Sequence, residues 1–297
     1  MSSDWQIVTQ LHDKLGENAL WHPIERAVYW IDWYGAIIHR YTPARDAAET
    51  WKVAGIGSAT AAVFARGGKL LLGSDKGLVL FDPASQALTS FADPLKGQTG
   101  IGFNDGKVDH AGRLWIGTFE ATEKEPRADF YRVDSKGRSA IADDGFIVCN
   151  GPAISPDNRI LYFSDTMGRK ILAYDIDAKT GALSGKRVFA ALGENDGLPD
   201  GLTIDSAGDL WCAHYGVGKL SRFTPDGARA EEIALPVPVV TSCCFGGDDL
   251  KTLYVTTGWT DQAATAIDRA DKGGALYARQ VATPGLPEPI FSPEGTS

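Results

Sequence analysis

Cys149-Asn150-Gly151-Pro152-Ala153-Ile154-Ser155-Pro156-Asp157, followed after Asn158-Arg159 by Ile160-Leu161-Tyr162-Phe163-Ser164-Asp165, decides the fold. A polar residue opens a short apolar strand, a Ser-Pro-Asp-Asn segment turns the chain, and an aromatic and aliphatic strand returns. The pattern recurs. Asp200-Gly201-Leu202-Thr203-Ile204-Asp205-Ser206-Ala207-Gly208 leads to Asp209-Leu210-Trp211, and Asn104-Asp105-Gly106-Lys107-Val108-Asp109-His110-Ala111-Gly112 leads to Arg113-Leu114-Trp115. Asn104 precedes Trp115, Asn150 precedes Tyr162 and Asp200 precedes Trp211 by nearly the same interval.

Working outward, the returning strand is found six times: Val28–Asp32, Leu70–Asp75, Leu114–Thr118, Leu161–Asp165, Leu210–Ala213 and Leu253–Thr257, roughly 45 residues apart. A third strand ending in an aromatic and a turn follows each, as in Ile38–Pro43, Val79–Pro83, Phe130–Asp134, Leu172–Asp177 and Leu220–Gly227; the sixth, Gly273–Ala278, comes after a longer connection. Helical periodicity is nearly absent. Six units of four short strands, none able to bury its own faces, predict an all-β, six-bladed β-propeller with four antiparallel strands per blade, a single domain over residues 1–297. Trp5–Thr9 is left over at the start and is expected to close the last blade, removing a free sheet edge. The 34 glycines fall at turns, and no low-complexity segment precedes the tail Ser292–Gly295.

Residues at equivalent places in successive inner strands meet around the axis of a propeller. That place is read as Glu17, Ser58, Asn104, Asn150, Asp200 and either Thr241 or Ser242. Two carboxylates brought together cannot both stay ionised at little cost without a cation, so this oxygen-rich set predicts a bound divalent metal. Hard oxygen donors favour Ca, with Mg, Mn, Zn and Fe(II) left open. Asp109, Asp157, Asp205 and Asp226 read instead as turn residues.

His12, His22, His39, His110 and His214 share no spacing, which argues against a His-based zinc site; His214 follows the Trp211 strand and is a candidate to touch substrate. Cys149, Cys212, Cys243 and Cys244 match no zinc pattern and are too few for a disulfide framework, so they read as buried thiols. There is no Gly-x-Ser-x-Gly elbow, and the Gly-rich pieces open no helix, so no dinucleotide or phosphate cofactor site is expected. A net charge of −9 with scattered Lys and Arg argues against nucleic-acid and anionic-membrane partners. No apolar run reaches a membrane span, and Met1–Trp5 lacks the character of a signal peptide; the expected location is cytoplasmic, as a monomer or small homo-oligomer.

Taken in order, Leu15-Gly16-Glu17, Phe103–Asp109 with Gly117-Thr118, Cys149–Pro152 with Ser155–Asp157, Pro199-Asp200-Gly201 and Thr241–Gly247 resemble the gluconolactonase / regucalcin (senescence marker protein) / luciferin-regenerating-enzyme family along essentially the whole chain. The resemblance implies one divalent cation held by Glu17, Asn150 and Asp200, with Asn104 beside metal and substrate, and hydrolysis of a sugar lactone as in the bacterial members. Two positions depart from the regucalcin-like pattern. Gly102 stands where that pattern has Arg, and its sugar-holding acidic residue falls near Thr122, with Glu120 displaced by two. Asn104, Glu120, Thr122 and His214 are therefore the substrate-contacting candidates.

The function expected is metal-dependent hydrolysis of an aldonolactone to its aldonic acid at the channel mouth, the ion polarising the lactone carbonyl, Asp200 acting as general base and Asn104 orienting the substrate. Two alternatives stand beside it: a non-catalytic, regucalcin-like calcium-binding protein, and an esterase or phosphotriesterase using the same site.

Overall fold

The computed structural model describes residues 4–9, 11–259 and 273–294. The long connection before Gly273, and Gly295 of the tail, lie outside the described residues. Six four-stranded antiparallel sheets form the six blades of a propeller. Their first strands are Gly16–His22, Ala59–Ala65, Ile101–Val108, Cys149–Ile154, Leu198–Ile204 and Val240–Gly246.

Strand alternation explains how the blades hold together. In the second blade Ala61, Val63, Leu71, Leu78 and Leu80 face Phe103, Val108, Leu114 and Ile116 of the third. The intervening Ala62, Phe64, Leu70, Leu72 and Phe81 face Leu20, Tyr29, Ile31 and Ile38 of the first. Successive side chains point to opposite faces, and both faces are buried, so the middle strands read as continuous apolar runs. Six such clusters separate the six blades. The one joining last to first packs Trp21, Val28 and Trp30 against Cys244, Tyr254 and Leu276.

Ring closure follows the expectation: Gln6 pairs with Ala278 and Ile7 with Tyr277, giving the last sheet its outer strand from the N-terminal segment. The sixth third-strand begins later than predicted, at Tyr277 rather than Gly273. Gly274 is used differently, its backbone lying so close to Asp13 that a Cβ there would sit 2.0 Å from the Asp13 carbonyl oxygen. Its φ of +80° also favours glycine.

The turn aspartates behave as read. Asp109 Oδ1 accepts from the Ala111 and Arg113 amides at 2.9 and 3.0 Å, and its Oδ2 from Trp115 Nε1 at 2.9 Å. Asp205 repeats this with Ala207, Asp209 and Trp211. In the fourth blade Ser155 Oγ takes the place of the carboxylate, accepting from Arg159 and Ile160 and donating to Asp157 Oδ1. These three hairpins therefore satisfy their turns locally, and those of the third and fifth blades also pin the tryptophan of the next strand. Among the described residues no helix is long and apolar enough to cross a membrane.

Candidate active site

Each first strand carries a register shift near the same mouth of the channel: Glu17/Leu20, Ala59/Ala61, Phe103/Gly106, Asn150/Ala153, Pro199/Leu202 and Val240/Ser242. Such bulges re-aim side chains and bend the strand, and here they turn polar groups toward the axis. The expected single register position resolves into two. Glu17 and Asn150 are the last paired residues before the shift, whereas Asn104 and Asp200 are the first within it. The two places nevertheless open on one cleft, and Asn104 of the second reaches Asn150 of the first at 2.7 Å.

All four residues line one cleft of about 390 Å³, with Thr166, Trp33, Tyr34, Phe119, Val148, Met167 and Leu198 among its other walls and Lys14 and Glu123 at its charged positions. The remaining members of the predicted ring are absent from it. Ser58 lines a neighbouring concavity. Thr241 Oγ1 is committed to the Gly16 carbonyl at 2.5 Å and to Thr256 Oγ1 at 2.9 Å.

The carboxamides are oriented by their surroundings. Asn104 Nδ2 donates to the Cys149 carbonyl at 3.0 Å and to Asn150 Oδ1 at 2.7 Å, so both its N–H groups are used and Oδ1 is left as an acceptor for the cleft. Asn150 Nδ2 donates to Thr166 Oγ1 at 3.1 Å, and Thr166 passes its own proton to the Pro199 carbonyl at 2.9 Å. Asn150 Oδ1 thus faces the cleft with a lone pair to spare. Ser164 Oγ donates to the Asp200 carbonyl at 2.8 Å and fixes that residue's backbone.

Behind them Asp105 Oδ1 accepts from Asn18 Nδ2 at 2.7 Å and the Gly106 amide at 2.8 Å, while Asn18 Oδ1 accepts from the Ala62 amide at 2.5 Å. Three blades are tied at the axis by these bonds. Sequence reading missed Asn18, Asp105, Ser164 and Thr166 as supports. Only Asp105, inside the Asn-Asp-Gly motif, carried a signal.

Electrostatics mark the place. Glu17 is pushed well above the usual carboxylate range by desolvation first, then by the charges of Asp200 and Asp105. Asp200 is raised likewise, by desolvation and then Asp105. Asp105 is pushed up to about 6, again chiefly by burial. Two crowded carboxylates that resist ionisation, beside an outward amide oxygen, are a donor set that suits a hard divalent cation: Glu17, Asn150 and Asp200 fit the group.

The three other substrate candidates stand apart. Glu120 is almost fully buried, its Oε2 accepting from Thr122 Oγ1 at 2.6 Å and from the Thr122 and Lys124 amides. These bonds, the Thr122 hydroxyl foremost, hold it down to about 2. Glu120 and Thr122 therefore satisfy each other in a turn, and neither lines the cleft. His214 is fully buried, with Nδ1 donating to the Asp196 carbonyl at 2.7 Å, and burial pushes it down to about 4. It too is outside the cleft lining. The walls are instead largely aromatic and apolar, a feature that alternation could not assign because Trp33 and Tyr34 come from a short 3-10 turn and Met167 from a turn between strands.

The sequence profile of the SMP-30/Gluconolactonase/LRE-like region matches residues 15–258. The chain belongs to this family. Within it, pentonolactonase XacC of Haloferax volcanii is 34% identical over 286 residues, 93% of this chain and 94% of that protein. The 6-deoxy-6-sulfogluconolactonase of Pseudomonas putida is 31% identical over 98% of this chain and its full length. Among solved structures, the calcium-binding protein regucalcin of Agrobacterium tumefaciens superposes with a TM-score of 0.90 at 26% identity, covering 96% of each chain. A luciferin-regenerating enzyme shares the fold with the same TM-score at 22% identity, covering 97% of this chain and 99% of its own.

Proposed function

We propose that this protein is a metal-dependent lactonase that opens a sugar lactone to its aldonic acid. The observation that carries the reading is the meeting, in one cleft, of Glu17, Asn104, Asn150 and Asp200 from four different blades, with both carboxylates raised. The lactonases to which the chain is similar along nearly its whole length support the reaction class.

Glu17, Asn150 and Asp200 would hold the divalent ion. When bound, it supplies Lewis acidity toward the lactone carbonyl and offsets the negative charge of the two carboxylates. Asp200 accepts the proton of the attacking water at a carboxylate oxygen. Asn104, whose N–H groups are engaged, presents Oδ1 and so orients a hydroxyl of the substrate or the water rather than donating to the carbonyl. Trp33, Phe119, Val148 and Leu198 exclude solvent and pack on the less polar face of the ring.

The test is acid release in a pH-stat across aldonolactones of both ring sizes, other esters and phosphotriesters, with protein loaded with Ca, Mn, Mg, Zn or Fe(II) and with chelated protein. Metal-dependent release from lactones is the expected result. Metal-loaded protein that gains stability but turns over nothing would make it a binding protein, and turnover confined to phosphotriesters would move it to that class.

A further inference from the structure

Among the described residues Phe119 alone lines both the cleft and a second concavity of about 500 Å³ beside it. The reason lies across the strand pair. Phe119 is paired with Gly102, and a Cβ on residue 102 would come within 2.5 Å of Phe119 Cε1. A side chain there cannot coexist with the ring as it lies, so glycine lets Phe119 rest on the backbone as a thin partition. Trp33 meets it nearly edge to face at 5.4 Å from the cleft side.

The second concavity differs in chemistry from the first. Asp75, Asp93, Lys76 and Lys96 balance in formal charge. Its polar atoms are partly unspent. Asp75 Oδ1 accepts from the Gly57 amide, leaving Oδ2 only a distant approach from Lys76 at 3.7 Å. Gln98 uses Nε2 on Tyr131, which leaves its amide oxygen as an acceptor. Ser58 and Lys96 also line the groove. Paired donors and acceptors without net charge, next to an aromatic ring, suit a hydroxyl-rich ring with one apolar face; they do not select an anion or a hydrocarbon.

We propose that this groove is a glycosyl subsite: the lactone occupies the cleft, and a second sugar unit attached to it passes the edge of Phe119 and is held by Ser58, Asp75, Lys96 and Gln98. The preferred substrate class is then a glycosylated aldonolactone rather than the free monosaccharide lactone. This rests on the lactonase reading of the cleft, and the experiment separates the two.

The ratio of kcat/KM for a 4-O-glycosyl aldonolactone to that for its parent aldonolactone is measured on metal-loaded protein, in the wild type and in Ser58→Trp and Lys96→Trp, which fill the groove from two sides. Lys96 is exposed, so its variant keeps the test standing if Ser58→Trp misfolds. The ratio is expected to be tenfold or more in the wild type and to fall to about one in either variant. A wild-type ratio of one or less, with the parent lactone hydrolysed well, overturns the subsite and leaves the lactonase intact. If no lactone is hydrolysed, the lactonase reading fails, and titration calorimetry with the corresponding disaccharide alditol decides the groove: heat of binding lost in Lys96→Trp supports it, and no binding to the wild type overturns it.

Discussion

Thr166 offers the sharpest probe of how the cleft is held. Its Oγ1 accepts from Asn150 Nδ2 at 3.1 Å and donates to the Pro199 carbonyl at 2.9 Å, linking the fourth blade's inner strand to the fifth's. Thr166→Val keeps the shape and removes both bonds. It leaves an amide N–H and a carbonyl unsatisfied at a site where Thr166 is only 6% exposed. At about 1–3 kcal/mol for each buried orphan, partly relieved by relaxation, the loss in unfolding free energy should be about 2–4 kcal/mol. Denaturant unfolding should show it as a lower midpoint at unchanged slope. The freed Asn150 amide should also lose its preferred orientation, and affinity for the divalent ion should drop about 10- to 100-fold, as when a ligand's supporting partner is removed. Thr166→Ser retains the hydroxyl and should restore most of both quantities. A Val variant with wild-type metal affinity and stability within about 0.5 kcal/mol would refute the claim that Thr166 positions Asn150.

Three further outcomes are expected. In metal-replete protein Asp200→Asn should keep the circular dichroism of the wild type yet lower kcat by at least about a thousandfold, whereas Asn104→Ala should cost roughly ten- to a thousandfold; turnover that survives Asp200→Asn sinks the base assignment. Chelated His214→Gln protein, in which the opposing imidazole titration is removed, should lose thermal stability as pH rises from about 4 through about 6 and beyond, because Glu17, Asp105 and Asp200 have folded-state values above their unfolded ones, so their favourable contribution is complete at low pH and disappears as they ionise. A metal-free melting temperature of that variant that climbs over the interval would contradict the crowding. In metal-replete protein the difference between wild type and His214→Gln should report the imidazole: burial lowers it to about 4, so between about 6.5 and 4 the unfolded chain takes up a proton that the fold refuses, and the stability of the wild type relative to the variant should fall by about 2–3 kcal/mol as pH drops.

Much of the architecture was already legible in the amino-acid order, because it depends on local rules. The sixfold return of the aromatic strand, the polar residue that opens each inner strand and the Asp of each hairpin turn are short-range signals. Asp109 and Asp205 cap their own turns, within a few residues of where the pattern placed them. Equivalence between repeats was enough to bring Glu17, Asn104, Asn150 and Asp200 to one mouth, since propeller symmetry converts register into position.

What only the tertiary structure decided are the relations between blades. A strand's period of two says which residues share a face, but the bulges that set Asn104 and Asp200 one step off Glu17 and Asn150 arise where inner strands crowd the axis. No local pattern links Thr166 to Pro199, or Asn18 to Asp105 and Ala62, because each bond crosses from one blade to the next. The same holds for the candidates that moved away. Glu120 is drawn into its own turn by Thr122, and His214 is enclosed beneath Asp196; both outcomes turn on which way a side chain leaves its backbone once neighbours compete for the space. Gly102 shows the limit most plainly: in sequence it is a missing side chain, and in the fold it is the floor on which Phe119 lies, since only three-dimensional packing tells which atom fills the room a residue leaves empty.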